Sequence, residues 1–467
     1  MPAIARRAAR TREGFPALPG LAMALPVTLL VLLPAGISRP VLAGEGDDPR
    51  CGSFGWDPAN PPAPPGLAGP FVSDLSADGT LRPVADAVRE ALAADLDLSG
   101  AFRRLPVDAA PSTGAILWWS DEAFDALGWA EAGAYLAVTG EVAAADGGVR
   151  VRLDAWLTEE GDRLRLPGAE AVVPAWRAPA VVHRWMNGLL RCITTLPGAF
   201  GTRLVYARRE AAGQRKQIWV SELGSSVQVQ VSHDPEGVML PAWAPGGRVA
   251  WTGYLAGNPD VYVDGEPFSQ RPGMNTGIAF SPNGRVAAVT LAPDGNPDIW
   301  LLDASDGSER ARLTTSKSID TSPAWSPDGT RIAFVSDRGG RPQVWVMKAD
   351  GTDPRALPLP GDYNTSPDWS PDGTRIAYQS RGAGDRFSIW IVDVRTGEAR
   401  PLTSGATNDE EPSFSPDGRR IAYTSAKRRG RKALWVMDRD GSHAQAVFQD
   451  AGDYFTPAWE RTFPSRP

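Results

Sequence analysis

One short unit, repeated along the second half of the chain, does most to restrict the fold. It reads Ser322-Pro323-Ala324-Trp325-Ser326-Pro327-Asp328-Gly329 and returns as Ser366-Pro367-Asp368-Trp369-Ser370-Pro371-Asp372-Gly373 and as Glu411-Pro412-Ser413-Phe414-Ser415-Pro416-Asp417-Gly418. Degenerate copies are Pro241-Ala242-Trp243-Ala244-Pro245-Gly246-Gly247 and Ile278-Ala279-Phe280-Ser281-Pro282-Asn283-Gly284. Proline fixes φ at the second turn position, aspartate suits the third, and glycine accepts the left-handed geometry that leads into the next strand. The aromatic anchors Trp243, Phe280, Trp325, Trp369, Phe414 and Trp459 are spaced 37, 45, 44, 45 and 45 residues apart. That is the period of one propeller blade.

A second aromatic follows each turn, at Tyr262, Trp300, Trp345, Trp390 and Trp435, with Trp219 its equivalent in the first unit. In Val344-Trp345-Val346-Met347 alternate side chains point to opposite faces of a sheet, and stacked blades bury both faces. The stretch Gly201-Thr202-Arg203-Leu204-Val205-Tyr206 reads as the second strand of a blade whose first strand is missing. Thr456-Pro457-Ala458-Trp459 supplies that strand from the other end of the chain. Residues 199–467 are therefore expected to form a six-bladed β-propeller closed by the C-terminal strand, with no free edge at the seam. An open solenoid would leave the Trp459 strand unpaired.

The opposite end differs in composition. Arg6, Arg7, Arg10 and Arg12 precede an apolar run from Leu21 to Gly36, and Val41-Leu42-Ala43 has the small residues of a cleavage site. Residues 1–43 read as a signal peptide. The run is too short to span a bilayer and is interrupted by Pro26 and Pro34. Its removal takes the formal charge from −7 to about −11. Such a balance disfavours nucleic acid, which needs basic surface to displace counterions. The basic cluster Lys427-Arg428-Arg429-Gly430-Arg431-Lys432 reads as a solvated hairpin tip.

Residues 44–80 are rich in Gly, Pro, Asp and Ser and read as an extended or disordered lead-in. Residues 81–198 carry helical spacing from Val84 to Leu96, a short helix from Asp121 to Ala132, and strands at Tyr135–Gly140 and Val149–Trp156 joined through Gly147-Gly148. A closing helix runs from Pro179 to Thr195. The chain as a whole is thus α+β, a small α/β domain followed by a propeller. Cys51 and Cys192 suit an oxidising compartment, where a pair is often joined, but spacing leaves the bonded and free forms open.

The motifs of catalysis and cofactor binding are missing. There is no Gly-x-Ser-x-Gly elbow, P-loop, dinucleotide fingerprint or Cys/His metal cluster, so no cofactor is expected. Of the three histidines, His183 lies in the closing helix and reads as structural, while His233 and His443 fall in different blades. Asp328, Asp372 and Asp417 are explained by their turns. Function is better sought just before each innermost strand, where propeller geometry brings six segments to one channel mouth. The candidates for binding a partner are Met239; Met274 and Asn275; Asp320; Asp362, Tyr363 and Asn364; Asn408, Asp409 and Glu410; and Asp453 with Tyr454. They could grip a protein loop or hold a structural calcium, for which scattered carboxylates are weak evidence, or merely hydrate the channel.

Taken together, the layout resembles the TolB family, periplasmic proteins of the Tol–Pal cell-envelope system. The resemblance covers roughly residues 85–461. Beyond the repeats it rests on Ala93-Ala94-Asp95-Leu96 with Ser99-Gly100-Ala101-Phe102, on Val138-Thr139-Gly140-Glu141-Val142, and on the junction Leu196-Pro197-Gly198-Ala199-Phe200-Gly201-Thr202-Arg203. It implies a non-enzymatic periplasmic adaptor, monomeric outside its complex. Such a protein binds a peptidoglycan-associated lipoprotein at the channel mouth, meets a TolA-like inner-membrane protein through its N-terminal segment, and supports outer-membrane integrity and cell division. One departure is that Gly44 to Thr80 lacks the Ile- and Val-rich β-forming stretch with which the family begins. The other reading is an exported propeller that binds a different envelope protein or a glycan.

Overall fold

In the computed structural model, residues 50–51, 66–74, 79–99, 101–105, 126–194, 198–255, 257–382, 385–426, 430–448, 450–461 and 463 are described. The expected signal peptide lies outside them, as do residues 121–125 of the second helix and residues 427–429 of the basic cluster.

The first sheet begins earlier than the composition suggests. Strand β1 (Gly66–Asp74) falls inside the stretch read as a lead-in, and it pairs in parallel with both β2 (Arg103–Arg104) and β3 (Leu136–Ala145). Parallel neighbours need a crossover. The helix α1 (Arg82–Ser99) provides it between β1 and β2. The α/β domain thus starts near residue 66, not 81. The β1 register shifts between Ala68 and Phe71, where Gly69 and Pro70 stand. Proline cannot donate to a ladder and is tolerated at such irregularities. Strand β4 (Gly148–Leu157) returns antiparallel to β3 with Ala145 opposite Gly148, so the tight turn is Asp146-Gly147, and Gly147 has φ 89°. Short strands β5 (Asp162–Leu164) and β6 (Glu170–Val173) both pair with β4.

Helix α2 (Ala126–Glu131) precedes β3, and α3 (Ala178–Thr194) closes the domain. Helix α3 buries Val182, Trp185, Met186, Leu189 and Leu190 with Val88, Leu92 and Leu96 of α1, all at 0% exposure. A disulfide joins Cys51 to Cys192 of α3.

Among the described residues, the rest forms six four-stranded antiparallel sheets. The first combines β7 (Arg203–Arg209), β8 (Gln217–Glu222) and β9 (Gln228–Gln230) with a strand from the chain's far end. Next are β10 (Val238–Ala244), β11 (Arg248–Gly253), β12 (Asp260–Val263) and β13 (Glu266–Ser269), then β14 (Met274–Phe280), β15 (Val286–Ala292), β16 (Asp298–Asp303) and β17 (Glu309–Arg312). The fourth sheet holds β18 (Asp320–Trp325), β19 (Arg331–Ser336), β20 (Gln343–Lys348) and β21 (Arg355–Ala356). The fifth holds β22 (Asn364–Trp369), β23 (Arg375–Arg381), β24 (Phe387–Asp393) and β25 (Ala399–Pro401). The last comprises β26 (Asn408–Phe414), β27 (Arg420–Ala426), β28 (Lys432–Asp438) and β29 (Gln445–Ala446). Finally β30 (Asp453–Trp459) pairs with β7, setting Trp459 opposite Leu204.

The repeat supplies the contacts between sheets. Trp325 Nε1 donates to Ala279 O at 3.1 Å, Trp369 to Ala324 O at 3.2 Å, and Trp243 to Ala458 O at 3.0 Å. Each bond joins one innermost strand to its neighbour, and the last ties β10 to β30. The turn aspartates do what their position requires. Asp328 Oδ1 accepts from Ser326 Oγ at 2.5 Å and from Thr330 N at 3.0 Å, and Asp372 and Asp417 repeat the pattern. No helix among the described residues is long and apolar enough to cross a membrane.

Candidate partner-binding face

The innermost strands β10, β14, β18, β22, β26 and β30 touch one another in that order, and β30 touches β10. Their first residues therefore gather at one end of a circuit. Every one of these strands carries the same distortion. Its register with the second strand slips across the proline position of the repeat, held by Ile278 in β14, in a β-bulge. At each bulge one residue takes positive φ: Leu240 (52°), Gly277 (62°), Ser322 (54°), Ser366 (55°), Glu411 (61°) and Thr456 (45°). Five of the six are not glycine, a costly arrangement that the surrounding sheet must hold in place.

The bulge and the period of two sort the candidate residues. Two positions before each left-handed residue stand Val238, Asn275, Asp320, Asn364, Asp409 and Tyr454, all buried. The polar side chains among them bond inside the sheets, although Asp320 Oδ1 and Asn364 Oδ1 have no partner. Asn275 donates to Arg271 O at 2.7 Å and accepts from Ser269 Oγ at 2.7 Å. Asp320 pairs with Arg338 at 2.7 Å, and Asn364 donates to Gln343 Oε1 at 2.7 Å. Asp409 accepts from Ser425 Oγ at 2.6 Å, and the Tyr454 hydroxyl reaches Asp450 Oδ2 at 2.7 Å. Asn275, Asp320, Asn364, Asp409 and Tyr454 are thus framework, not surface, because alternation turns them into the sheet.

The next residue in each strand faces the other way. Met239, Thr276, Thr321, Thr365, Glu410 and Phe455 are all half-buried. Only Met239 and Glu410 of this set were among the expected residues. Of the others expected, Met274 and Asn408 begin their strands and are half-buried, and Asn408 Oδ1 accepts from Phe387 N at 2.9 Å. Asp362 is exposed and paired with Arg341. The Tyr363 ring lies 4.4 Å beneath the Arg381 guanidinium.

Charge concentrates where β26, β28, β30 and β8 meet. Lys432 Nζ lies 2.6 Å from Glu410 and 3.4 Å from Glu411. Glu411 Oε2 also accepts from Thr456 N at 2.7 Å and from Thr424 Oγ1 at 3.1 Å. Asp453 pairs with Arg209 at 2.7 Å; burial would raise its pKa, but the Arg209 and Lys432 N–H donors outweigh it and hold it down. Lys216, just before β8, sits 3.8 Å over the Phe455 ring, and burial depresses its pKa. No carboxylate among the described residues lies within ion-pairing distance of it. A cation stacked on a half-buried ring beside two glutamates can accept an acidic or amide group from another protein. Glu411 and Phe455 fall within the segments expected at the mouth, Asn408-Asp409-Glu410-Glu411 and Asp453-Tyr454-Phe455-Thr456, though not among the individual candidates, and Lys216 was not singled out from the sequence. Strict alternation along each inner strand would have found Phe455, but nothing local marks Lys216. No group of His, Cys, Asp and Glu among the described residues is arranged to hold a metal ion.

The α/β domain sits at the other end. Lys216 O accepts from Val238 N at this mouth, and β8 then runs roughly 20 Å at about 3.3 Å per residue to its turn at Gly224, which packs on α1 and α3.

The fold defines a β-propeller protein with an amino-terminal α/β domain. Residues 190–463 match the TolB beta propeller domain and residues 70–164 the TolB amino-terminal domain, so the chain belongs to the TolB family. It is 33% identical over 269 residues to the Tol-Pal system protein TolB of Anaeromyxobacter dehalogenans, covering 54% of this chain and 58% of that one. It is 33% identical over 203 residues to the Chromobacterium violaceum protein of the same name, covering 43% and 44%. The chain thus spans about half the length of these curated relatives, 58% of the first and 44% of the second. The crystal structure of TolB from Acinetobacter baumannii is similar over 85% of this chain and 97% of its own, with TM-score 0.70 and 27% identity.

Proposed function

We propose that this protein is a non-enzymatic, periplasmic adaptor of the Tol–Pal system. In this reading the six sheets are the blades of one propeller, completed by the C-terminal strand, and its open mouth binds a peptidoglycan-associated lipoprotein. The amino-terminal part meets a TolA-like inner-membrane protein, and the assembly supports outer-membrane integrity and cell division. The observation that carries the reading is the cluster of Lys216, Phe455, Glu410, Glu411 and Lys432 at the mouth, clear of the α/β domain docked at the other end. Membership of the TolB family supplies the partner class.

Calorimetric titration with the soluble domain of the lipoprotein encoded in the same genome tests it. Hot spots cost at least about 2 kcal/mol on truncation. Phe455→Ala combined with Lys216→Ala should therefore weaken binding about thirtyfold or more. Trp176→Ala, at an exposed position in the α/β domain, should leave it unchanged. No binding by the wild-type protein, or equal loss in both variants, would overturn the assignment.

A further inference from the structure

The outermost strand of each sheet is an open edge, and most of these edges are blunted in the usual ways, by charge or by proline. Strand β13 carries Glu266 and Pro267, β17 carries Glu309, Arg310 and Arg312, β21 carries Arg355, and β25 carries Arg400 and Pro401. Gln445 of β29 is tied to Asp97 O of the α/β domain at 3.0 Å. Strand β9 has neither charge nor proline. Val227, Val229 and Val231, within it and at its two ends, are 64%, 50% and 36% exposed.

Alternation gives β9 two unlike faces. Gln228 Oε1 accepts from the hydroxyls of Tyr206 at 2.9 Å and Tyr454 at 3.0 Å, and its Nε2 donates to Asp450 Oδ2 at 2.8 Å. The valines stand on the opposite face. The main chain alternates too. Val231 N donates to Ile218 O at 2.8 Å, and Val229 lies opposite Val220, so the odd-numbered residues direct their N–H and C=O groups at β8. Those of Gln228 and Gln230 point the other way, to the open side.

This edge is self-complementary in sequence. Ser226-Val227-Gln228-Val229-Gln230-Val231-Ser232 is a palindrome centred on Val229. A second copy turned by a two-fold axis at Val229 sets Val229 opposite Val229, Val227 opposite Val231 and Gln228 opposite Gln230. The Gln228–Gln230 pairs are then the hydrogen-bonded ones, each exchanging both main-chain bonds. The valines fall at the other pairs, where side chains approach closest, with Cα atoms about 4.5 Å apart. No like charges meet across the axis. A two-fold interface must complement itself, and this edge does so in both its main chain and its side chains.

We propose that the protein self-associates through β9, two copies pairing antiparallel about Val229 so that one sheet continues into the other. Two short edges bury less than the ~1,200 Å² at which standard interfaces begin, so the association is weak, with a Kd on the order of 10–100 μM. The dilute protein is then the monomer that the resemblance to TolB proteins implies. Strand β9 is the outermost of its sheet, whereas the mouth is formed at the innermost strands, so both can be engaged together.

Sedimentation velocity of the full chain over about a hundredfold range of concentration, reaching about ten times the expected Kd, tests this. The weight-average mass of the wild-type protein should climb from monomer toward dimer. Val229→Lys and Val229→Glu each place like charges face to face and should weaken association by about tenfold or more. Both change a half-exposed side chain and leave the core intact. An equimolar mixture of the two variants sets lysine opposite glutamate only in this two-fold pairing, and should recover the association. Val172→Lys, at an exposed apolar position of the α/β domain, should behave as wild type. A wild-type protein that stays monomeric, Val229 variants that associate as it does, a mixture that remains monomeric, or equal loss in Val172→Lys would each overturn the proposal.

Discussion

The sheets and the α/β domain are held together in different ways. Trp243, Trp325 and Trp369 make the same bond to the neighbouring inner strand, over and over. The α/β domain relies on contacts that occur once, namely the Cys51–Cys192 bridge, the Asp95–His183 pair and the α1–α3 seam. Repetition spreads stability over equivalent sites, so no single contact between sheets has an exclusive role. A unique contact has no substitute.

The sharpest way to break this comparison is to remove one repeated anchor. Trp369 is 1% exposed and packs with Ala324, Val344 and Val346 of one sheet and Ile376 and Tyr378 of its own. Trp369→Ala should cost about 3–5 kcal/mol, from lost burial and the cavity left behind. Trp369→Phe should cost less, chiefly the indole bond to Ala324 O. Urea unfolding followed by intrinsic fluorescence measures both. A cost below about 1 kcal/mol for the alanine variant would show that the sheets do not depend on their anchors.

Second in size is the bridge. Replacing Cys51 and Cys192 by serine should lower stability by about 2–4 kcal/mol. The loss should be confined to the α/β domain and read as earlier proteolysis of α3. Equal destabilisation of the sheets would mean the two regions unfold as one.

The same contrast decides what could be read from the sequence. The sheets announced themselves because Pro-Asp-Gly turns and aromatic anchors recur at a blade period, and periodicity survives local irregularity. Strand β1 did not, because Gly66, Gly69 and Pro70 look like loop residues until the register shift beside Pro70 is seen. The mouth was half legible. Its six segments do begin the six inner strands, yet Asn275, Asp320, Asn364, Asp409 and Tyr454 point inward. Lys216 acts there only because β8 brings it against Phe455, from a strand far away in sequence. His183 read as structural, and its partner Asp95 lay too far along the chain for any spacing rule to connect them.

The smallest effect tests the bulges. Gly277 is the one glycine among their left-handed residues, while Ser322 and Ser366 occupy equivalent places. A methyl group at Gly277 would meet only Thr290 Oγ1, at 3.6 Å, so nothing but backbone strain opposes a side chain. Gly277→Ala should cost about 0.5–1 kcal/mol, the left-handed penalty less the entropy removed from the unfolded chain. Thr290 is buried and its hydroxyl has no partner. Gly277→Ser places a second hydroxyl beside it, and a net hydrogen bond contributes about 1 kcal/mol. Serine should therefore be more stable than alanine here and close to wild type, as thermal unfolding can show. If serine proves the worse of the two, the serines at Ser322 and Ser366 are tolerated for some reason other than satisfying the bulge.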